Sequence, residues 1–452
     1  MNKIYKILIF VLASALVISL THAFYFHLRP FTDSRAYDQI AMNLLAGQGY
    51  LQVADHNPQT DLGIITVGPG YQFFLAGVYV IFGHHWSVVW VIQALLHILS
   101  GWAIFLTARR LFSQSGEKIG LIAAILFLFQ IDLIEGTGML LTEPLFIFLS
   151  ILTVYLAIKF FQSPNGKNMI FLGLVSGLAI LTRPTILFLL PAIVLFLIFW
   201  RKISLSRRLV YIFLIIIIPT LMIAPWTYRN FQVYDSFILT TGAGSYNLWV
   251  GNHYGANGEL EAATPEMIDY LINRGVVASS EKGQAEFLNF IKVYPGEYVK
   301  LLLVKASKYF SLVRPTGWWS HLRGTIFLPI TLGWSALFSA LLFIFGLSGW
   351  WLAWKQEKGY PIRLVQWFLV ALPLPIILTI VSTRYRYPIY PLMALFAGYW
   401  LVNFWQNREQ RKKYLVIFSL VALFLIINAG LDFYGNFDMV KDHLAGFKLF
   451  VK

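Results

Sequence analysis

The stretch Phe31–Tyr50, FTDSRAYDQIAMNLLAGQGY, decides how the rest of this chain is interpreted. It follows the first hydrophobic segment after a few residues and carries Asp33, Tyr37 and Asp38 ahead of a short amphipathic run that ends in two glycines. The rest of the chain is poor in charge, so carboxylates this close to a predicted membrane surface need a reason. We therefore expect Phe31–Tyr50 to be a functional loop beside a membrane.

The composition is that of an all-α polytopic membrane protein. Of the 452 residues, 58% are hydrophobic and 12% are charged, whereas soluble domains have about 25% charged residues. The net charge of +14 comes from short basic clusters between apolar segments, as in cytoplasmic loops. These observations exclude a soluble α/β enzyme and argue against a nucleic-acid partner, and the lack of cysteine excludes disulfide and thiolate chemistry.

Apolar runs long enough to span a bilayer recur along the chain. The sequence predicts eleven spans, near residues 7–26, 88–106, 119–131, 140–160, 169–182, 185–200, 209–225, 327–353, 364–381, 388–405 and 414–431. The first run could also be a cleaved signal peptide, but cleavage would leave the Asp33 loop untethered. The run 71–82 is short for a span, so we expect a re-entrant or interfacial half-helix.

This pattern predicts one transmembrane domain, residues 1–431, followed by an extracytoplasmic tail, residues 432–452. Two extracytoplasmic segments interrupt the domain, the first loop (27–87) and a long loop (230–326).

Within the long loop, the Gly/Asn-rich run 242–258 is interpreted as loop, and helical segments are expected over 265–290 and 298–309. Trp318 and Trp319 are expected to form an interfacial belt.

Three carboxylates are candidate catalytic groups: Asp33, Asp38 and Glu143. On a helix, Asp33 and Tyr37 share a face, although this segment could equally cap a helix over 36–45. Glu143 lies in the first turn of a span, in LLTEPLFIF, where ionisable residues are rare and usually functional. Its alternative role is a carboxylate stabilised by the helix dipole.

Three arginines fall at extracytoplasmic turns: Arg183 in TRPT, and Arg384 and Arg386 in STRYRYPIYP. Because the forked guanidinium suits phosphate oxygens, they are candidate ligands for a phosphate group. Contacts with lipid headgroups are the alternative.

The long loop offers candidate sugar-binding side chains, namely Tyr246, Asn247, Asn252 and His253. A turn-rich loop without function is the alternative. No His, Cys and carboxylate spacing typical of zinc occurs, and there is no P-loop, Rossmann fingerprint or Ser-His-Asp order. Any sugar is therefore expected to arrive on a lipid rather than on a nucleotide.

Several segments, taken in order, resemble the bacterial glycosyltransferases of the GT-C superfold. The similarity is to the family 39-like branch, which includes aminoarabinose transferases of lipid A and protein O-mannosyltransferases, and it covers about residues 1–405. The segments are FTDSRAYDQIAMNLLAGQGY, GPGYQFFLAGVYVIFG, LTARRLF, TEPLF, LTRPT, APWTYRN, YNLWVGNHYGANG and RYRYPIYPLMALFAGYWL.

The resemblance implies an active site on the extracytoplasmic face of a bacterial cytoplasmic membrane and a polyprenyl-phosphate sugar donor. It implies that Asp33 is the catalytic or acceptor-activating carboxylate. Some relatives bind a divalent metal ion through a carboxylate and a His. This chain lacks the lysine that is common before the half-helix (Val67-Gly68-Pro69 stands there), so the metal requirement stays open.

The expected reaction is an inverting sugar transfer to a lipid, polysaccharide or protein, with Asp33 as base. Glu143 or Asp38 would position the acceptor or a metal ion, and Tyr37 would contact substrate. Arg384 and Arg386 would hold the phosphate, with help from Arg183.

Two other functions use the same lipid-linked sugars. A transporter or flippase predicts polar residues along a whole membrane pathway, whereas here they gather at one face. An oligosaccharide ligase or polymerase shares the substrate class.

Overall fold

The computed structural model describes residues 3–312, 321–322 and 325–435. In these ranges the chain forms eighteen α-helices joined by turns and short 3-10 helices. The helices α1 to α18 are, in order, Lys3–Phe26, Asp33–Leu45, Gly70–Phe82, Trp86–Leu111, Gly116–Leu128, Ile131–Thr137, Thr142–Gln162, Gly166–Thr182, Leu189–Phe199, Leu205–Tyr234, Ala243–Gly251, Pro265–Val293, Pro295–Tyr309, Phe327–Gln356, Tyr360–Ala371, Pro373–Leu378, Tyr390–Gln406 and Arg411–Gly435. The 3-10 helices are Leu62–Ile65, Pro184–Phe188, Leu260–Ala262, Thr383–Ile389 and Arg408–Gln410.

The chain is an integral membrane protein, as the sequence predicts. Seven helical segments in the described part are long and apolar enough to cross a membrane, and there are eight if α5 and α6, which meet at a 64° bend, form one broken span. The other predicted spans, near 169–182, 185–200 and 388–405, coincide with the shorter helices α8, α9 and α17. The total of eleven therefore stays a prediction.

Helix α17 lies at the centre of the bundle, and its residues from Tyr390 to Trp400 are all buried. Two glycines permit close packing around it. A Cβ on Gly349 of α14 would overlap the Phe396 carbonyl, and a Cβ on Gly398 of α17 would lie 2.5 Å from the Ile119 carbonyl oxygen. Small residues let membrane helices approach each other in this way, where dispersion rather than water exclusion favours association.

The first loop contains two short helices that pack on each other. Helix α3 has 13 residues and is about 20 Å long, which is too short for a hydrocarbon core of about 30 Å. Its Tyr71 and Leu75 are fully buried against Tyr37 and Ala41 of α2. This packing agrees with the expected interfacial half-helix.

A second, smaller core joins the first loop to the long loop. It contains Ile40 and Tyr50 from the first loop, Trp226 at the end of α10, and Tyr246 and Trp249 from α11. The interpretation of 242–258 as loop was wrong for 243–251, which form α11. Residues 246, 249 and 250 recur at helical spacing and are all buried, so burial in this core outweighs the low helix propensity of the glycines.

The predicted helices of the long loop are confirmed as α12 and α13. Trp318, Trp319 and the predicted tail beyond residue 435 lie outside the described residues.

Candidate active site

Asp33 is the first residue of α2. The preceding Thr32 has φ of 47°, and the Ser34 hydroxyl donates to the Phe31 carbonyl at 2.8 Å, which closes the turn. The Asp33 side chain is therefore not used as a cap. It remains 40% exposed and forms an ion pair with Arg384, which is 351 residues away in the sequence.

Glu143 is the second residue of α7 and is buried. Its Oε1 accepts from Nη2 of Arg183 at 2.6 Å, and its Oε2 accepts from the Thr142 hydroxyl at 3.1 Å. Thr142 in turn accepts from Nε of Arg183 at 2.8 Å. Thr142 and Glu143 thus bind the same edge of one guanidinium, the edge formed by Nε and Nη2, and the pair closes the gap between the start of α7 and the end of α8.

Arg384 connects the two carboxylates. Its Nη2 contacts Asp33, and its Nη1 lies 3.8 Å from Oε1 of Glu143. The Tyr385 ring lies close to both cations, with its centroid 5.6 Å from the guanidinium carbon of Arg183 and 5.5 Å from that of Arg384. We call Asp33, Glu143, Arg183 and Arg384 the Asp33 cluster. Its four formal charges cancel, and Asp33 is its most exposed member.

Tyr37 lies beneath the Asp33 cluster, one turn along α2. Burial, with the Asp33 carboxylate nearby, raises the pKa of Tyr37 well above its usual value. Its ring meets Tyr71 edge-on at 5.5 Å. Tyr37 is therefore a protonated, rigid part of the floor of the site.

A small cavity of about 20 Å³ adjoins the cluster, and Glu143 contributes to its wall. It lies where α5 breaks into α6 and includes the carboxylates of Asp132 and Glu135. Ser335 donates to both oxygens of Asp132 at 3.0 and 2.8 Å. A carboxylate-lined cavity of this size suits a water molecule that donates to the carboxylate oxygens.

Asp38 lies apart from the Asp33 cluster. Its Oδ1 accepts from the Tyr79 hydroxyl at 2.6 Å and from Trp86 at 3.3 Å, and lies 3.0 Å from Nε2 of His84. These three groups come from the end of α3, from the turn at residues 83–85 and from the start of α4. Asp38 therefore ties the two first-loop helices together, and the structure does not bring it to Asp33.

Arg386 also points away from Arg384. It is 2% exposed, its Nη1 donates to the Ser311 carbonyl at 2.6 Å, and its guanidinium lies 5.6 Å from the Phe343 ring centroid. The two arginines predicted to share one phosphate thus face different surroundings.

The predicted sugar-binding residues of the long loop are spread over several environments. Tyr246 belongs to the second core, and Asn247 is half-buried on the same helix. Asn252 is fully buried, and its amide nitrogen donates to three backbone carbonyls. His253 is half-buried, with ring nitrogens 2.9 and 3.1 Å from the carbonyls of Tyr254 and Ala262. These contacts favour a structural role for Asn252.

The donor set does not fit a divalent metal ion at the Asp33 cluster. Asp33 and Glu143 each hold an arginine, and cations of this kind compete with a metal for the carboxylate oxygens. Within the described ranges, no three His or carboxylate side chains form a group that could hold a metal ion.

Sequence reasoning missed Thr142, which orients Arg183, and a set of buried charges in the long loop. Lys308 donates to Glu259 at 2.6 Å, with both side chains buried, and Lys305 is fully buried. The available signal was the spacing of the two lysines on the apolar face of α13, together with Leu301 and Tyr309.

Solved structures of an archaeal oligosaccharyltransferase and of ArnT have a similar fold. An oligosaccharyltransferase from Archaeoglobus fulgidus, in complex with Zn and sulfate, matches with a TM-score of 0.53 at 15% identity over 93% of this chain and 52% of that one. ArnT from Cupriavidus metallidurans, bound to undecaprenyl phosphate, matches with a TM-score of 0.53 at 15% identity over 91% of this chain and 63% of that one. The archaeal oligosaccharyltransferase AglB from Archaeoglobus fulgidus, in complex with an inhibitory peptide and a dolichol-phosphate, matches with a TM-score of 0.51 at 14% identity. The match covers 94% of this chain and 55% of that one.

The fold is therefore the GT-C fold, as the sequence predicts, and this chain spans just over half to under two thirds of the length of these structures. Residues 66–228 match the family described as dolichyl-phosphate-mannose-protein mannosyltransferase. No curated protein matches the chain. The matched range contains Glu143 and Arg183 and ends close to the second core.

Proposed function

We propose that this chain is an integral-membrane glycosyltransferase that moves a sugar from a polyprenyl-phosphate donor to an acceptor hydroxyl or amide. The observation that carries the proposal is the Asp33 cluster, in which one accessible carboxylate is held by a buried network of opposite charges. The family match over residues 66–228 supports the same class of reaction.

Asp33 is the proposed general base. As the acceptor atom attacks the anomeric carbon, a new glycosidic bond forms, the bond from that carbon to the phosphate oxygen breaks, and the acceptor proton passes to Asp33. Attack from the face opposite the phosphate inverts the anomeric centre. The ion pair with Arg384 fixes the direction of the carboxylate before substrate binds.

The charges of the cluster suit this step. Its formal charge is zero while Asp33 is ionised and +1 once Asp33 has taken the proton. The donor phosphodiester carries one negative charge, and the departing monoester approaches two. Protonation of Asp33 therefore releases positive charge on Arg384 at the moment when the leaving phosphate needs it.

Arg384 is the proposed phosphate ligand, with Arg183 behind it. Arg386 has no part in this proposal because its guanidinium is turned toward Ser311. Arg29 and Arg35, which are exposed on either side of Asp33 in the sequence, supply further positive charge where the donor would approach.

The sugar is proposed to lie on the exposed side of Asp33. The cavity beside Glu143, at about 20 Å³, has room for water but not for a sugar ring.

The basic segments that follow α4, α9 and α17 lie at the helix ends remote from Asp33. By the positive-inside rule we infer that the Asp33 cluster faces the extracytoplasmic side of a bacterial cytoplasmic membrane.

The test is turnover of a panel of radiolabelled polyprenyl-phosphate sugars by purified protein, wild type beside Asp33→Asn, with and without chelator. We expect wild type to release polyprenyl phosphate from one donor and Asp33→Asn to lose nearly all of this activity. Full turnover by a normally folded Asp33→Asn would refute the assignment of the base.

The alternatives give different results in the same preparation. Movement of donor across a vesicle membrane with no turnover would indicate a transporter or flippase. Transfer of preassembled oligosaccharides, but not of single sugars, would indicate a ligase or polymerase.

A further inference from the structure

Arg384 lies in an irregular segment between α16 and α17. We call residues 378–386 the Arg384 segment. Helix α16 ends at Leu378, and the 3-10 helix that carries Arg384 begins at Thr383. Carbonyl groups at the end of a helix have no partner within the helix and attract cations and hydrogen-bond donors. The position of the Arg384 guanidinium therefore depends on what holds this segment.

Lys305 of α13 binds the start of the segment. It is fully buried, and its Nζ lies 3.1 Å from the Thr379 carbonyl oxygen, 3.3 Å from that of Leu378 and 2.6 Å from Oδ1 of Asn252. The Asn252 amide nitrogen donates to the same two carbonyls at 3.1 and 3.2 Å. Two side chains of the long loop thus converge on the carbonyls that α16 leaves free.

The long loop also contacts the Arg384 segment at two later residues, Val381 and Arg386. The Val381 N–H donates to the Gly258 carbonyl at 2.9 Å, and Glu259 and Val381 form a parallel β-bridge. Arg386 donates to the Ser311 carbonyl at 2.6 Å. Arg384 therefore lies between two contacts with the long loop, one made by the Val381 backbone and one by the Arg386 side chain.

We propose that Lys305 and Asn252 are positioning residues that hold Arg384 against Asp33 and Glu143. The functional part of this inference rests on the proposed glycosyl transfer; the structural part does not. The two side chains form a clamp that fixes the carbonyls of Leu378 and Thr379. The long loop thereby sets the position of the Arg384 guanidinium.

The chain has no cysteine, so a single introduced thiol reports on the segment without interference. Ser382→Cys places a half-buried thiol two residues before Arg384, and its rate of alkylation measures local opening. We expect Lys305→Met to raise this rate about tenfold or more, because a buried hydrogen-bond donor that contacts Asn252 and two backbone carbonyls is lost. Lys300→Met is the matched control, since Lys300 lies on the same helix and is 72% exposed.

If Lys305→Met does not fold, Lys305→Gln, which keeps an N–H donor, and Asn252→Asp, which keeps the acceptor for Lys305, take its place. Each of these variants should raise the alkylation rate by less than Lys305→Met, which removes the amino group altogether. An alkylation rate equal to that of the Lys300→Met control in a folded clamp variant would overturn the clamp.

Activity separates positioning from general destabilisation. If Lys305 acts through Arg384, Lys305→Met should lower kcat/KM about tenfold in the wild-type background and hardly at all in the Arg384→Lys background. Equal losses in both backgrounds would overturn the positioning role. If Lys305→Met is alkylated faster but the wild-type protein transfers no sugar, the clamp is supported and the proposed function is wrong.

Discussion

Replacing Glu143 with glutamine removes the central negative charge of the Asp33 cluster while keeping the shape of the side chain. The Glu143 carboxylate is 4% exposed, 2.6 Å from Arg183 and 3.8 Å from Arg384. These two guanidinium groups are 7% and 14% exposed. In the variant they have only Asp33, which is itself 40% exposed, to balance two positive charges.

The expected loss follows from these distances. Two unit charges 3.8 Å apart interact by about 4 kcal/mol at an effective dielectric constant of about 20, and removing one partner of a buried pair costs about 3–5 kcal/mol. The amide oxygen of glutamine still accepts a hydrogen bond from Arg183. We therefore expect the free energy of unfolding to fall by about 3 kcal/mol, which is the lower end of the range for a broken buried pair.

The measurement is unfolding by SDS in mixed detergent micelles, followed by the fluorescence of the 15 tryptophans. Glu117→Gln is the control, because the pair of Glu117 with Arg109 is 3.6 Å long and 32% and 43% exposed, so its loss should cost no more than about 1 kcal/mol. Adding Arg183→Gln to Glu143→Gln should restore part of the stability. A loss no larger than that of the control, or an additive double variant, would refute the buried-network interpretation.

Three further predictions test the contacts of Asp38, the division between Arg384 and Arg386, and the burial of Lys305. Asp38→Ala should leave kcat unchanged but make the first loop more sensitive to proteolysis, because the carboxylate that holds Tyr79 is lost; a loss of kcat with normal protease resistance would contradict this. Arg384→Gln should raise the donor KM, whereas Arg386→Gln should lower stability and leave the donor KM unchanged. Equal changes of KM in the two variants would support the phosphate site shared by both arginines and contradict this prediction. Burial lowers the pKa of Lys305 to about 7, below its unfolded value of about 10.5. Between these two pKa values the unfolded chain binds one more proton than the folded chain, so stability rises with pH. The melting temperature of wild type should therefore rise above pH 7 relative to that of Lys305→Met, and the two curves should run parallel below pH 7. Parallel curves over the whole pH range would contradict the lowered pKa.

The sequence predicted the fold because the signals for membrane helices are local. An apolar run of about 20 residues cannot leave its backbone groups unpaired in lipid, so it must be helical wherever it lies. The same scarcity of charge made Asp33, Glu143, Arg183 and Arg384 conspicuous. Helix α11 was missed because its glycines favour loop locally, and only the second core, assembled from distant segments, made burial of Tyr246 and Trp249 decisive.

The partners of the charged residues could not be read from the sequence. Asp33 and Asp38 lie five positions apart, which on an α-helix is about 140° around the axis, so one meets Arg384 and the other meets Tyr79 and His84. Arg384 and Arg386 diverge for the same reason on a 3-10 turn of about three residues.

Sequence alone thus determined that the chain spans a membrane and which ionisable residues are unusual there. The tertiary structure decided which of them meet, because an ion pair between residues 351 positions apart depends on how several helices and two loops pack, and not on any local preference.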